Sequence, residues 1–190
     1  FFFIILSSLT HFYITIMLLL MRMIFSLSDY FKDYNFKKIF KQNMILIFIL
    51  SLSMYITGYF TIPSTDSLGF GYGFYKTNLL SFLDPVPYGS NQNWSIILPD
   101  IPSISGEQEG FAYFGLGGLI LSIILFYFIL KNIKKMANNK KYIILVLVFF
   151  LIALSNNISF GNGTLINISL PNLIYAPLSI IRASGRFIWP

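Results

Sequence analysis

The chain has 190 residues, 56% hydrophobic and 11% charged, whereas soluble domains carry about 25% charged residues and could not hide so many apolar side chains. The net charge of +6 does not indicate nucleic-acid binding, because the basic residues flank apolar runs, as they do in membrane proteins. Cysteine is absent and histidine occurs once, which excludes disulfides, thiolate chemistry and sites built from several histidines.

Four apolar runs are long enough, or nearly so, to cross a bilayer, which takes about 20 helical residues. They cover residues 1–21, 44–62, 111–130 and 142–160, and the fourth reaches that length only by continuing through its polar end at Ser155. Helices are expected because strands would leave unpaired backbone groups in lipid. The sequence therefore predicts an all-α fold class, a multi-pass transmembrane helical bundle of about four spans with a long extracytoplasmic loop and interfacial helices.

Both ends of the chain lie in apolar sequence. It opens at Phe1 inside a hydrophobic run and closes with Phe187-Ile188-Trp189-Pro190, which resembles the start of another span. We therefore expect a fragment of a longer chain, with residues 1–190 forming part of a single transmembrane domain.

The basic residues predict the orientation of these spans. Ten lysines and arginines lie in residues 22–43 and 131–141, against three in residues 63–110 and 161–190. Because basic loops stay in the cytoplasm, we expect 22–43 and 131–141 to be cytoplasmic. The outer loop 63–110 and the outer interfacial segment 161–190 are then extracytoplasmic.

Two carboxylates, Glu107 and Glu109, precede the third predicted span, with Tyr113 shortly after them. One interpretation is electrostatic, because the N-terminus of a helix favours negative charge by about 0.3–1 kcal/mol. The other is functional, with Glu107 or Glu109 facing a polar cavity as a general base or cation ligand. The spacing of the residues leaves both interpretations open.

A second polar cluster, Arg182, Ser184 and Arg186, lies near the end of the chain. Arginines four residues apart share one face of a helix, and arginine binds phosphate through two parallel hydrogen bonds. A lipid phosphate or pyrophosphate is therefore one expected partner. The alternative is anchoring to lipid headgroups, with Trp189 in the aromatic belt of the membrane interface.

His11 lies inside the first predicted span. An ionisable group within a membrane is a functional candidate by default. Thr10 and Thr15 lie close to it in the sequence and favour a neutral, hydrogen-bonded packing role instead.

The motifs E-G-F-A-Y-F-G-L-G at residues 109–117 and R-A-S-G-R-F-I-W-P at residues 182–190 carry a family resemblance. Together they resemble a family of bacterial inner-membrane proteins of unassigned activity that is grouped with the GT-C type glycosyltransferases. The rest of the chain agrees with that family in topology alone. The resemblance implies a multi-pass protein of the bacterial inner membrane that uses a polyprenyl-phosphate sugar donor at the outer face.

The resemblance also implies roles for two groups of side chains. Those expected at the donor phosphate are Arg182, Ser184 and Arg186. Those expected at the acceptor side or in a polar cavity are Glu107, Glu109 and Tyr113. The catalytic acid of such enzymes lies in the first outer loop, which we expect to precede this fragment, so the catalytic residue is unknown. No cofactor and no set of metal ligands is evident in the sequence.

Three functional hypotheses follow. The first is a glycosyltransferase-like membrane protein in cell-envelope glycan assembly. The second is a transporter or flippase for a lipid-linked substrate, which predicts broken helices and polar groups at mid-membrane depth. The third is a non-enzymatic membrane assembly subunit. The expected partners are the lipid bilayer and a polyprenyl-phosphate sugar donor, without nucleic acid.

Overall fold

The computed structural model describes residues 2–33, 36–58, 72–132, 140–179, 181 and 183–189. The chain divides into two compact units, Phe1–Leu68 and Gly69–Pro190. The candidate residues named above lie in the second unit, apart from His11.

Three helices build the first unit: α1 (Phe2–Ser8), α2 (Phe12–Asp33) and α3 (Phe36–Ile56). The first predicted span is divided between α1 and α2, and hydroxyl side chains mark the division. Ser7 and Ser8 donate to the carbonyl oxygens three residues earlier at 2.8 and 2.6 Å, local bonds that compete with regular helix. His11 lies exposed in the break.

The core of the first unit draws on all three helices. Its members are Ile4, Leu46 and Leu50, with Leu18 and Leu19 packed against them. The hydroxyl oxygens of Ser8 and Ser53 lie 2.8 Å apart and link α1 to α3. Burying each large apolar side chain contributes about 1.5–3 kcal/mol, so these contacts hold the short α1 against its neighbours.

The second unit combines helices with a small sheet. Its elements are α4 (Gly115–Lys131), α5 (Lys140–Leu154), β1 (Asn157–Phe160), β2 (Gly163–Asn167) and α6 (Asn172–Ser179). Among the described residues it also has two short 3-10 helices, the first over Glu107–Gly110 and the second over Ser184–Ile188.

β1 and β2 form an antiparallel hairpin in which Asn157 pairs with Asn167 and Phe160 with Gly163. Gly161 begins the two-residue connection with a φ of 57°, a conformation that glycine adopts without cost and that hairpin turns require. A register shift follows Ile158. The hairpin follows directly on α5.

The prediction of an all-α multi-pass transmembrane bundle is wrong. Over the described residues, one helical segment, Lys37–Ile56, is long and apolar enough to cross a membrane. The apolar helical segments Phe12–Leu27 and Gly115–Lys131 are shorter. The fold is a mixture of helices and strands, because the outer end of the predicted span 142–160 forms β1.

The physical reason lies in the polar residues that follow Leu154, where α5 ends. Ser155 adopts a positive φ of 60°, which ends the helical path of the backbone. Its Oγ accepts a hydrogen bond from the Asn157 N–H at 3.2 Å. Side chains that bond locally in this way favour turns over continued helix, so apolar length alone overestimates the span.

Candidate functional site

Residues 75–79 form a buried segment that links the end of α5 to the second 3-10 helix. The Thr77 N–H donates to the Ala153 carbonyl oxygen at 2.9 Å. The Gly185 N–H donates to the Tyr75 carbonyl oxygen, also at 2.9 Å. This segment therefore brings parts of the chain together that are more than a hundred residues apart in sequence.

Three backbone segments cross at Gly110, Gly185 and the Lys76–Thr77 peptide, which we call the glycine crossing. A Cβ at Gly185 would lie 2.7 Å from Gly110 Cα, and one at Gly110 would lie 2.5 Å from Thr77 Cα. Real Cβ atoms essentially never approach within 3.0 Å. Only glycine fits at both places, and the two motifs of the family resemblance meet here.

Glu107 is buried, with 4% of its surface exposed, and accepts three hydrogen bonds. Oε2 accepts from Asn78 Nδ2 at 2.8 Å and from the Ile104 N–H at 2.9 Å, while Oε1 accepts from the Ser159 hydroxyl. Asn78 also donates to the Gly161 carbonyl oxygen at 2.8 Å. A carboxylate satisfied in this way stabilises the surrounding fold, and the acceptor-side role of Glu107 stays a prediction.

Lys76 lies in the same buried segment and was not among the predicted site residues. Its exposed fraction is 2%, and no carboxylate of the described residues lies within 4.0 Å of its ammonium. Burial lowers the pKa of Lys76, and the negative charge of Glu107 opposes that change. A sequence signal was present, since Lys76 is the only lysine or arginine between Lys41 and Lys131.

Arg186 and Glu109 form a bidentate ion pair that joins the two 3-10 helices. Arg186 Nε donates to Oε2 at 2.7 Å and Nη2 donates to Oε1 at 3.1 Å. The two side chains are 32% and 28% exposed, so solvent reaches the pair. The fork of a guanidinium that fits a carboxylate also fits a phosphate, and a bound phosphate would compete with Glu109.

The remaining candidates occupy different surroundings. Ser184 is fully buried, and its hydroxyl donates to the Tyr75 carbonyl oxygen at 3.1 Å. Tyr113 is partly buried between the first 3-10 helix and α4. Arg182 lies outside the described residues. The structure therefore brings Ser184, Arg186 and the two glutamates into one region, with their contacts defined.

The guanidinium of Arg186 has the chemistry to hold an anionic ligand, because it supplies paired donors that match phosphate oxygens. The backbone of Lys76 adjoins Gly185 at the glycine crossing. Among the residues for which the structure gives positions, no group of three or more His, Asp or Glu side chains could hold a metal ion.

Asp84 fixes the loop that follows the buried segment. It is 5% exposed, and its Oδ1 accepts from the N–H groups of Val86 at 3.0 Å and Ile101 at 3.4 Å. Burial raises the pKa of Asp84, the two backbone hydrogen bonds lower it, and the charges of Asp100 and Glu107 raise it further. A cavity of about 230 Å³ lies in the same loop and includes Asp100 in its lining.

We expect Asp84→Asn to stabilise the protein at neutral pH and Asp84→Ala to destabilise it by about 1–2 kcal/mol. Asparagine keeps the Oδ1 acceptor without the buried charge, whereas alanine leaves two backbone donors unpaired. Because the folded pKa of Asp84 is raised, its charge costs stability above that pKa and the cost disappears as the pH falls through it. The advantage of asparagine should therefore shrink on acidification.

Thermal unfolding of the protein at neutral and successively lower pH measures both Asp84 effects. The wild type serves as the reference at each pH. An asparagine variant less stable than the wild type at neutral pH would show that the carboxylate charge itself stabilises the loop.

The comparison with protein families matches residues 1–190 to a domain of unknown function, DUF6311. The match covers the whole chain, and the chain therefore belongs to this family. No curated protein and no solved structure matches the chain.

Proposed function

We propose that this DUF6311 protein is a membrane-bound, glycosyltransferase-like protein that binds a polyprenyl-phosphate sugar and acts in cell-envelope glycan assembly. One observation carries the proposal: the two motifs that resemble the GT-C type family pack against each other. Glu109 and Arg186 pair across them, and Gly110 and Gly185 are in backbone contact. If both motifs take part in one reaction, their side chains must meet in a shared site of this kind.

Arg186 is the proposed contact to the donor phosphate. Its guanidinium already holds a planar oxyanion through two hydrogen bonds, and its partial exposure gives a ligand access. A phosphodiester presents a similar pair of oxygens, so it could replace Glu109 with little change in the arginine. The released Glu109 carboxylate would then stand beside the bound sugar phosphate, on the proposed acceptor side.

Exposed apolar helices support the proposed attachment to the bacterial inner membrane. No residue of α4 is buried, and Phe126, Tyr127 and Phe128 are each more than half exposed. Extended apolar surface of this kind is typical of contact with a membrane or a partner. The apolar part of α3 adds one segment of sufficient length to cross the bilayer.

We expect Arg186→Ala to weaken binding of a polyprenyl-phosphate sugar by about tenfold or more, because a hydrogen bond to a charged group contributes about 1.5–3 kcal/mol. Full-length protein in nanodiscs would be titrated with the radiolabelled donor. Transfer to envelope glycan acceptors would be measured on the same samples.

Glu109→Ala is the matched control, because it removes the same ion pair and keeps the cation. Donor binding should be retained or become tighter in this variant, since the competing carboxylate is gone. Absence of transfer by the wild type, together with unchanged donor binding by Arg186→Ala, would refute the proposal.

A further inference from the structure

We propose that Lys76 forms a binding site for a phosphate group in the second unit. The inference rests on the proposed function for the choice of phosphate among oxyanions. The choice of an anion as the ligand follows from the surroundings of Lys76 alone.

Lys76 is a buried cation that has no counter-charge close to it among the described residues. Lys76 is 2% exposed, and over the described residues its ammonium has no ion-pair partner within 4.0 Å. Moving an ion out of water costs several kcal/mol unless a partner compensates it. Buried charges in proteins are accordingly paired, or the group becomes neutral.

The carboxylates of Glu107 and Glu109 already have other hydrogen-bond or ion-pair partners. Glu107 accepts hydrogen bonds from three donors, and Glu109 is held by the guanidinium of Arg186. The charge of Glu107 acts on Lys76 through space without forming an ion pair. Neither glutamate therefore gives the Lys76 ammonium a close negative charge, and a bound anion would.

The burial of Lys76 also indicates how a bound anion would change the protonation of its amine. Burial lowers the pKa of the Lys76 ammonium, so these surroundings favour its charged form less than water does. An oxyanion beside it favours the charged form. Binding of the anion and protonation of Lys76 are thus coupled.

The backbone of Lys76 lies close to the segment that carries Arg186. Its carbonyl carbon lies 3.0 Å from where a Cβ of Gly185 would stand, and Gly185 directly precedes Arg186. Lysine binds phosphate as a point charge, whereas arginine binds it through a planar fork. The glycine crossing therefore places one residue of each kind on adjoining backbone.

The phosphate could come from a lipid-linked headgroup or from a soluble phosphate, and two probes distinguish these sources. Full-length protein in nanodiscs would be titrated with inorganic pyrophosphate in one series. In the other series the nanodiscs would contain increasing fractions of polyprenyl phosphate. Thermal stabilisation of the protein reports binding in both series, because a ligand that binds the folded state raises its stability.

Lys76→Met keeps most of the length of the side chain and removes the charge. We expect the substitution to weaken binding by about tenfold or more for whichever of the two probes stabilises the wild type. Lys131→Met is the matched control, because Lys131 is exposed at the end of α4, and its binding should equal that of the wild type. Lys76→Arg, which retains a cation, should bind more tightly than Lys76→Met.

A measurement on the wild type keeps the test independent of how the variants fold. Over exposures long enough to label Lys76 in the wild type without a probe, an amine-reactive reagent should label it more slowly when the bound probe is present, while labelling of Lys131 stays unchanged. Equal labelling of Lys76 with and without either probe would overturn the inference. Equal binding by a folded Lys76→Met variant and the wild type would also overturn it.

The same experiments separate this inference from the proposed function. Phosphate binding that depends on Lys76, without sugar transfer, would retain the site and reject the glycosyltransferase. Sugar transfer with phosphate binding that is independent of Lys76 would do the reverse.

Discussion

Replacing Gly185 with alanine is expected to destabilise the second unit by about 3 kcal/mol, the upper part of the range for overpacked sites. The new Cβ would lie 2.7 Å from Gly110 Cα, and neither backbone can give way without moving its 3-10 helix. The two tryptophans, Trp94 and Trp189, both lie in the second unit. Their fluorescence during thermal unfolding measures the loss.

Gly117→Ala is the control for this substitution. A Cβ at Gly117 meets no atom within 4 Å, and alanine in a helix is favoured over glycine by about 0.5–1 kcal/mol. The control should therefore be neutral or stabilising. A Gly185→Ala variant as stable as Gly117→Ala would disprove the close backbone contact at the glycine crossing.

The sequence predicted the positions of several helices because apolar runs carry a local signal. The predicted span 111–130 corresponds to Gly115–Lys131, and 44–62 overlaps Phe36–Ile56. A helix in such a run satisfies its backbone within a short segment, so neighbouring residues are sufficient to indicate it. The ends were less accurate, since they depend on single hydroxyl and amide side chains.

The number of spans was wrong for the same reason. A count of apolar residues does not register that Ser155 turns the backbone out of α5. The alternation Asn157-Ile158-Ser159-Phe160, followed by Gly161, is typical of a strand that enters a hairpin. That pattern lies at the end of the predicted span 142–160, where the apolar content indicates a helix and the period of two indicates a strand.

The sequence predicted individual residues of the site but did not predict which of them contact each other. Glu109 and Arg186 were both named, but no spacing rule indicates that carboxylate and guanidinium meet when 77 positions separate them. Lys76 was missed because its burial is not visible in the neighbouring sequence, and its backbone lies against the distant Gly110 and Gly185. Whether a side chain such as Lys76 is buried depends on packing between distant parts of the chain. Patterns among neighbouring residues do not show it.

Glu107→Ala should destabilise the second unit by about 3 kcal/mol, whereas Glu109→Ala should cost about 0–1 kcal/mol. Glu107 is buried, and its removal takes the acceptor away from one N–H of Asn78, the Ile104 N–H and the Ser159 hydroxyl. Each unsatisfied group costs about 1–3 kcal/mol. Glu109 forms a partly exposed ion pair with Arg186, and such pairs contribute little to stability. Chemical denaturation followed by tryptophan fluorescence measures both variants.

These two glutamates carry the same carboxylate two positions apart, so their comparison separates a structural role from a ligand-facing one. Under the proposed function, Glu109→Ala should retain or tighten binding of the polyprenyl-phosphate sugar, and it should leave the unfolding midpoint nearly unchanged. Glu107→Ala should lower the midpoint, and any effect on donor binding should follow from the loss of folded protein. Glu107→Gln keeps an acceptor for one donor and should fall between the wild type and alanine in stability. Equal destabilisation by Glu107→Ala and Glu109→Ala would mean that the buried hydrogen bonds of Glu107 contribute no more than a surface ion pair, and the structural role assigned to it would then be wrong.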